Sequence, residues 1–151
     1  MRTICAVLFC IMVVPLSAAS PASEPPDGYE PIVDAFFSRL QEGKVDDAVD
    51  QLYASNPWMA RSEDAVQQIK SQLGNLKSLV GEYASHDLIV RKTLGGRLVY
   101  LNYLVSFDRQ PLRFEFQFYR PRDKWMTYSS SFDDEVDEDL ERQGRLESVR
   151  E

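Results

Sequence analysis

After residue 10 the chain contains no cysteine, and over its whole length it has one histidine, His86. Cys5 and Cys10 both fall in an apolar run at residues 4–16, so a chain cut behind that run keeps neither. Such a chain has no disulfide, no thiolate nucleophile and no cysteine-bearing metal site, even where export would permit disulfides. A lone histidine without cysteine gives no zinc or transition-metal set either. Nothing after residue 16 approaches the about 20 consecutive apolar residues of a spanning helix, so no membrane span is expected after signal removal. Basic residues are also in deficit: 17 Lys and Arg stand against 24 Asp and Glu, a formal charge of −7. That sign repels phosphate backbones, and nucleic acid is not an expected partner.

What is present fits one globular domain. The 151 residues are 44% hydrophobic and 27% charged, which excludes low-complexity and collagen-like chains. A domain of this size buries about two-thirds of its unfolded surface and needs no covalent staples. No repeat of 20 to 50 residues is visible, so a solenoid or propeller is not expected. At the N-terminus Arg2, the apolar run and the small residues Ser17, Ala18 and Ala19 predict a cleavable secretory signal over residues 1–19. No cysteine follows the small residues, so a lipid anchor is not indicated. The implied location is periplasmic or secreted. Residues 20–29, with Pro21, Pro25 and Pro26, read as a flexible leader.

Ile32, Val33, Phe36, Phe37 and Leu40 then recur at helical spacing, from Pro31 in the first turn to a stop at Gly43. Val45, Ala48, Val49, Leu52 and Tyr53 repeat the spacing up to Asn56-Pro57. A third helix is predicted after Ser62 as N-cap, carrying Ala65, Val66, Ile69, Leu73 and Leu76. Beyond Gly81 the period changes. β-Branched and aromatic residues run from Tyr83 to about Phe132, broken at Gly95-Gly96, at residues 108–111 and at residues 121–123. Three helices followed by an antiparallel four-stranded meander make an α+β layout.

The third strand sets the register. Leu112, Phe114, Phe116 and Phe118 share one face, while Arg113, Glu115, Gln117 and Tyr119 share the other. The phenylalanine face is expected inside, because a slip of one residue would bury Arg113 and Glu115. Turn counting puts Phe107 opposite Leu112, Val105 opposite Phe114 and Tyr103 opposite Phe116. A two-residue turn at Gly95-Gly96 pairs Leu94 with Arg97 and sets Val90 against Leu101, Leu88 against Tyr103 and His86 against Val105. For the last strand two faces remain open, one with Met126, Tyr128 and Phe132 inward and one with Trp125 inward. The first is preferred.

This element order, with the closing stretch Phe118-Tyr119-Arg120-Pro121-Arg122-Asp123-Lys124-Trp125, resembles the NTF2-like (cystatin-like α+β) superfamily over roughly residues 30–133. It looks most like the small exported bacterial members of undefined role. The resemblance implies helices packed on a curved four-stranded sheet that leaves a conical cavity, used for catalysis by some members and for binding by others. It also implies pairing through the outer face of the sheet, so a homodimer is expected. Fold alone does not select a function.

Three surfaces then compete. A cone lined by Leu101, Tyr103, Val105, Phe114, Phe116 and Phe118 would take a small apolar ligand, unless Phe36, Phe37 and Leu40 of the first helix fill it. The alternative is a cofactor-free hydrolase or isomerase with His86 as acid or base beside Tyr103 or Tyr128, but Asp87 alternates to the other face and no acid is placed inward to orient it. The outer face carries Leu98, Tyr100, Asn102, Leu104, Ile89 and Tyr119, and on one register Trp125, among Arg91, Arg113, Glu115 and Gln117. Of these, Tyr100, Asn102, Leu104 and Tyr119 have the composition of a protein interface. Residues 134–151 read as an acidic helical tail. Asp133, Glu135, Asp137 and Asp139 alternate like calcium ligands, but Glu138 stands where the loop needs glycine and Gly144 where it needs glutamate. Glu138 with Arg142 and Glu141 with Arg145 are instead spaced for helical ion pairs. No cofactor or metal is expected. The reading is of an exported non-catalytic binding module, meeting a small apolar ligand in its cone or a protein on its outer sheet face.

Overall fold

The computed structural model describes residues 28–148, so the signal and nearly all of the leader lie outside the described residues. The first helix, α1 (Glu30–Gln41), takes Pro31 in its opening turn and buries Val33, Phe36, Phe37 and Leu40. It ends at Gly43, whose φ of 73° suits a residue without Cβ. α2 (Val45–Tyr53) buries Ala48, Val49, Leu52 and Tyr53, with Asp46 and Asp47 against the positive end of its dipole. A single 3-10 turn, Met59–Arg61, leads into α3 (Glu63–Val80), which buries Leu73, Leu76 and Val80. Ser62 occupies the N-cap position of α3 without a side-chain cap bond; its hydroxyl donates to the Trp58 carbonyl at 3.4 Å.

Four strands follow: β1 (Tyr83–Leu94), β2 (Leu98–Phe107), β3 (Pro111–Tyr119) and β4 (Met126–Asp133). They form one antiparallel sheet in chain order, with β1 and β4 at its edges, and it does not close into a barrel. A fourth helix, α4 (Val136–Ser148), ends the described chain. The architecture is α+β.

The phenylalanine stripe of β3 is buried, whereas Arg113, Glu115 and Gln117 lie on the opposite face. The pairing with β2 differs from the expected one by two residues. Leu112 faces Val105, Phe114 faces Tyr103, Phe116 faces Leu101 and Phe118 faces Val99. A shift of two leaves every side chain on its expected face. The cause is a wider loop drawn toward the end of α3. Asp108 N donates to Glu82 O at 3.1 Å and Arg109 N to Val80 O at 3.0 Å. The Arg109 guanidinium also caps α3, donating to the carbonyls of Ser78 and Leu79 at 2.9 and 3.0 Å.

The β1–β2 turn is likewise corrected. Gly95 and Gly96 take φ of 58° and 63°, and Arg97 N donates to Leu94 O at 3.2 Å, as the two-residue turn requires. Yet the ladder pairs Leu94 with Leu98, because the Arg97 carbonyl is taken by Arg120 N at 2.8 Å. A bulge between Leu88 and Val90 absorbs the extra residue, so Leu88 still faces Tyr103 and His86 still faces Val105. Between turn and bulge the faces are reversed: Arg91 pairs with Leu101 on the inner side, and Val90 pairs with Asn102 on the outer. Arg91 therefore leaves the expected outer face for α1, where it meets Glu30 at 3.2 Å and lies 5.6 Å from the Tyr29 ring centre.

In β4 the preferred face holds only for Phe132. A second bulge sets Gln117 opposite Ser129 but Phe118 opposite Thr127, leaving Tyr128 as the additional residue. Before the bulge Trp125 and Thr127 are buried, after it Ser130 and Phe132 turn inward, and Tyr128 is exposed. Neither single register can describe such a strand.

Candidate functional site

The residues expected to line a cavity are packed shut. Leu101, Val105, Phe114, Phe116 and Phe118 are each no more than 2% exposed. Phe36 meets Phe116 edge to face at 5.3 Å, Phe37 meets Phe116 at 5.8 Å and Tyr103 at 5.1 Å, and Tyr29 stacks on Phe118 at 5.3 Å. Ring pairs of this kind contribute about 0.5–1.5 kcal/mol each beyond their burial, which favours a closed interior over an open one. Among the described residues no buried side-chain nitrogen or oxygen lacks a partner, so no polar group waits inside for a ligand. Beside the phenylalanine stripe a gap of about 190 Å³ lies between α3 and β4. It touches Phe114 and Phe116 together with Phe36, Phe132, Gln72 and Ser130, whereas Leu101, Tyr103, Val105 and Phe118 do not reach it.

His86 sits at the edge of this core. Its ring stacks on Phe37 at 3.9 Å with an interplanar angle of 10°, and its Nδ1 shares a 2.5 Å hydrogen bond with the Tyr83 hydroxyl. Burial lowers its pKa, more than the nearby charges of Asp34 and Asp87 raise it. Tyr103, half-buried beside it, has its pKa raised by burial, as has Tyr83. Tyr128 lies on the other side of the sheet, so the expected grouping of His86, Tyr103 and Tyr128 is not assembled. The ring is joined to a phenol whose pKa is raised, not to a carboxylate that would orient it as a base.

The outer face is organised differently. Tyr100 donates to Glu115 at 2.6 Å, and Asn102 donates to Tyr100 at 3.4 Å. Burial first and the Glu115 carboxylate second push the Tyr100 pKa up to about 12, so it remains a donor. Arg113 gives two hydrogen bonds to one Asp133 oxygen at 3.1 and 2.9 Å and lies 3.4 Å from Glu135. Leu104 lies opposite Arg113 and Tyr119 opposite Leu98. The bulge in β4 adds a residue that sequence reasoning had turned inward: Tyr128 meets Tyr119 edge to face at 6.3 Å. The two rings are 59% and 37% exposed respectively. α4 comes against β3 and leaves both of them in solvent.

A further buried polar site went unread in the sequence. Asn56, taken there only as a helix stop, donates through Nδ2 to the Thr127 carbonyl at 2.7 Å. Its Oδ1 accepts from the amides of Trp58 and Met59 at 3.0 and 3.2 Å. Thr127 completes the junction, donating from Oγ1 to Leu52 O at 2.5 Å and from N to Ser55 Oγ at 3.1 Å. The Asn-Pro pair signals a turn, but nothing local signals a partner 71 positions away.

Among the described residues no three His, Asp or Glu side chains converge as metal ligands. No helix there is long and apolar enough to cross a membrane. Comparison with protein-family models, curated proteins and solved structures finds no match to this chain.

Proposed function

We propose that this protein is an exported, non-catalytic binding module of the NTF2-like kind that meets a protein, in the first instance a second copy of itself, through the outer face of its sheet. The observation that carries the reading is the contrast between the two faces. The inner stripe is closed by α1, whereas the outer face presents Tyr119 and Tyr128 to solvent beside a fixed lattice of Tyr100, Asn102, Glu115, Arg113 and Asp133. Exposed tyrosines next to pre-ordered polar groups lose little conformational entropy on association. A small apolar ligand held against the phenylalanine stripe fits the geometry less well. The gap of about 190 Å³ lies below the roughly 300 Å³ at which ligand pockets usually begin. Catalysis is disfavoured by a histidine stacked on phenylalanine and by tyrosines whose pKa values move away from neutrality.

The test is sedimentation velocity at high micromolar concentration on the wild type and on the double variant Tyr119→Glu, Tyr128→Glu. Both positions are exposed, so the fold tolerates the change. A wild-type dimer that becomes a monomer in the variant, with an unchanged far-ultraviolet circular dichroism spectrum, is the expected result. A monomeric wild type, or a variant that still dimerises, overturns the proposal.

A further inference from the structure

One end of the domain differs in charge from the rest of the molecule. The β1–β2 and β3–β4 tips lie there, tied by a reciprocal exchange of hydrogen bonds. Arg97 donates to the Pro121 carbonyl at 2.8 Å, and Arg120 donates to the Gly96 carbonyl at 3.0 Å while lying 4.7 Å from the Trp125 ring centre. Both guanidinium groups are held by neutral acceptors, so their charge is not cancelled by those bonds. Lys92, Arg122 and Lys124 stand exposed around them. The α2–α3 connection reaches the same end, because Asn56 grips Thr127 just after the β3–β4 tip, and it brings exposed Arg61 with it. Against these six bases stand Asp123 and the α3 first-turn acids Glu63 and Asp64, while Glu30 is paired with Arg91. The run of acids from Asp133 to Glu138 begins at the far end of β4, on a chain whose net charge is −7.

Two large apolar side chains project at this basic end. Trp58 is 70% exposed and Leu94 is 72% exposed. Trp58 is not on a loose loop, since the Asn56 side chain holds its backbone amide. The chain also enters the domain here: Tyr29 is wedged between Phe118 and Trp125 at 5.3 and 5.2 Å.

We infer that this end of the domain docks on an anionic lipid bilayer, with the bases over the headgroups and the Trp58 indole at the interface. An acidic protein would match the bases but gives no reason for an exposed tryptophan and an exposed leucine beside them. An anionic bilayer matches both, because lysine and arginine are drawn to its surface potential and tryptophan favours its headgroup layer. The separation of charge along the sheet would also orient the molecule, with the acidic end directed away from the membrane.

The experiment is co-sedimentation of the full chain with vesicles of phosphatidylglycerol and phosphatidylcholine, compared with phosphatidylcholine alone, while tryptophan emission is followed. The chain has two tryptophans, and Trp125 is buried, so Trp58 reports the contact. The expected result is a blue shift on anionic vesicles only, reversed as salt rises from about 0.05 to 0.5 M. Trp58→Phe should remove the shift, and Arg122→Glu with Lys124→Glu should weaken binding at least about tenfold. Binding without the Trp58 shift, an equal shift on both vesicle types, or an unaffected charge variant overturns the inference. A Trp58 blue shift on polyglutamate as large as that on anionic vesicles would assign the surface to an acidic polymer and overturn it as well.

Discussion

The side-chain amide of Asn56, 5% exposed, bonds three backbone groups on two segments. Removing it leaves a buried carbonyl and two amides without their partner, and each buried group left unpaired costs about 1–3 kcal/mol. Asn56→Ala is expected to destabilise the domain by about 2–4 kcal/mol in urea unfolding. Asn56→Asp keeps the acceptor for both amides but sets a carboxylate oxygen against the Thr127 carbonyl, so it too should destabilise; an unchanged midpoint in either variant would contradict this role. His86 offers a pH-dependent counterpart. Its folded pKa is lowered from 6.5 mainly by burial, so the unfolded chain takes up the proton first as pH falls. Its effect on stability is therefore nil well above pH 6.5 and becomes a loss as pH drops through that value toward the folded pKa. Between about pH 7 and 5.5 the melting temperature of the wild type should fall more steeply than that of His86→Gln; parallel curves would contradict the assignment.

At the scale of elements, the helices and the β3 stripe were legible because their spacing is local. α2 begins at Val45 and ends at Tyr53, the first and last residues of its apolar repeat. Phe114, Phe116 and Phe118 identify their face by alternation alone. The bulges at Ile89 and Tyr128 were not legible, since each depends on a contact distant in sequence: the Arg97 carbonyl drawn to Arg120 in one case, Thr127 held by Ser55, Asn56 and Leu52 in the other. That is why Tyr128 and Trp125 exchanged faces relative to the preferred reading, and why the outer surface gained a ring. The α3–β1 junction shows how tightly such contacts are built. Gly81 has φ of 95°, and a Cβ placed there would lie 2.6 Å from the Asp108 Cβ. The same Asp108 accepts from Glu82 N at 2.8 Å, so it cannot withdraw without losing that bond. Gly81→Ala should therefore cost about 2–3 kcal/mol, measured by chemical denaturation. A variant as stable as the wild type would show that the junction relaxes freely.

For the whole molecule, the layout places a closed core between α1 and the inner sheet face, and an open surface behind it. The faces of β2 and β3 follow the sequence pattern, those of β1 near its turn and of β4 before its bulge do not, and the pattern left open whether the inner face encloses a cavity. The answer lay in whether the α1 side chains reach the sheet, which depends on how two elements dock and not on the pattern of either. Of the residues expected to bind a ligand, Leu101, Val105, Phe114, Phe116 and Phe118 are core and Tyr103 is half-buried at its edge, whereas Tyr100, Asn102, Leu104 and Tyr119, expected at an interface, lie on the other side of the sheet, joined by Tyr128. The most direct measurement is a concentration series of amide NMR spectra on the uniformly labelled protein. The account expects shifts that grow with concentration at Tyr100, Leu104, Arg113, Tyr119 and Tyr128, while Gln72, Ser130 and Phe132 at the α3–β4 gap stay fixed. Spectra independent of concentration, or changes centred on the gap, would contradict it.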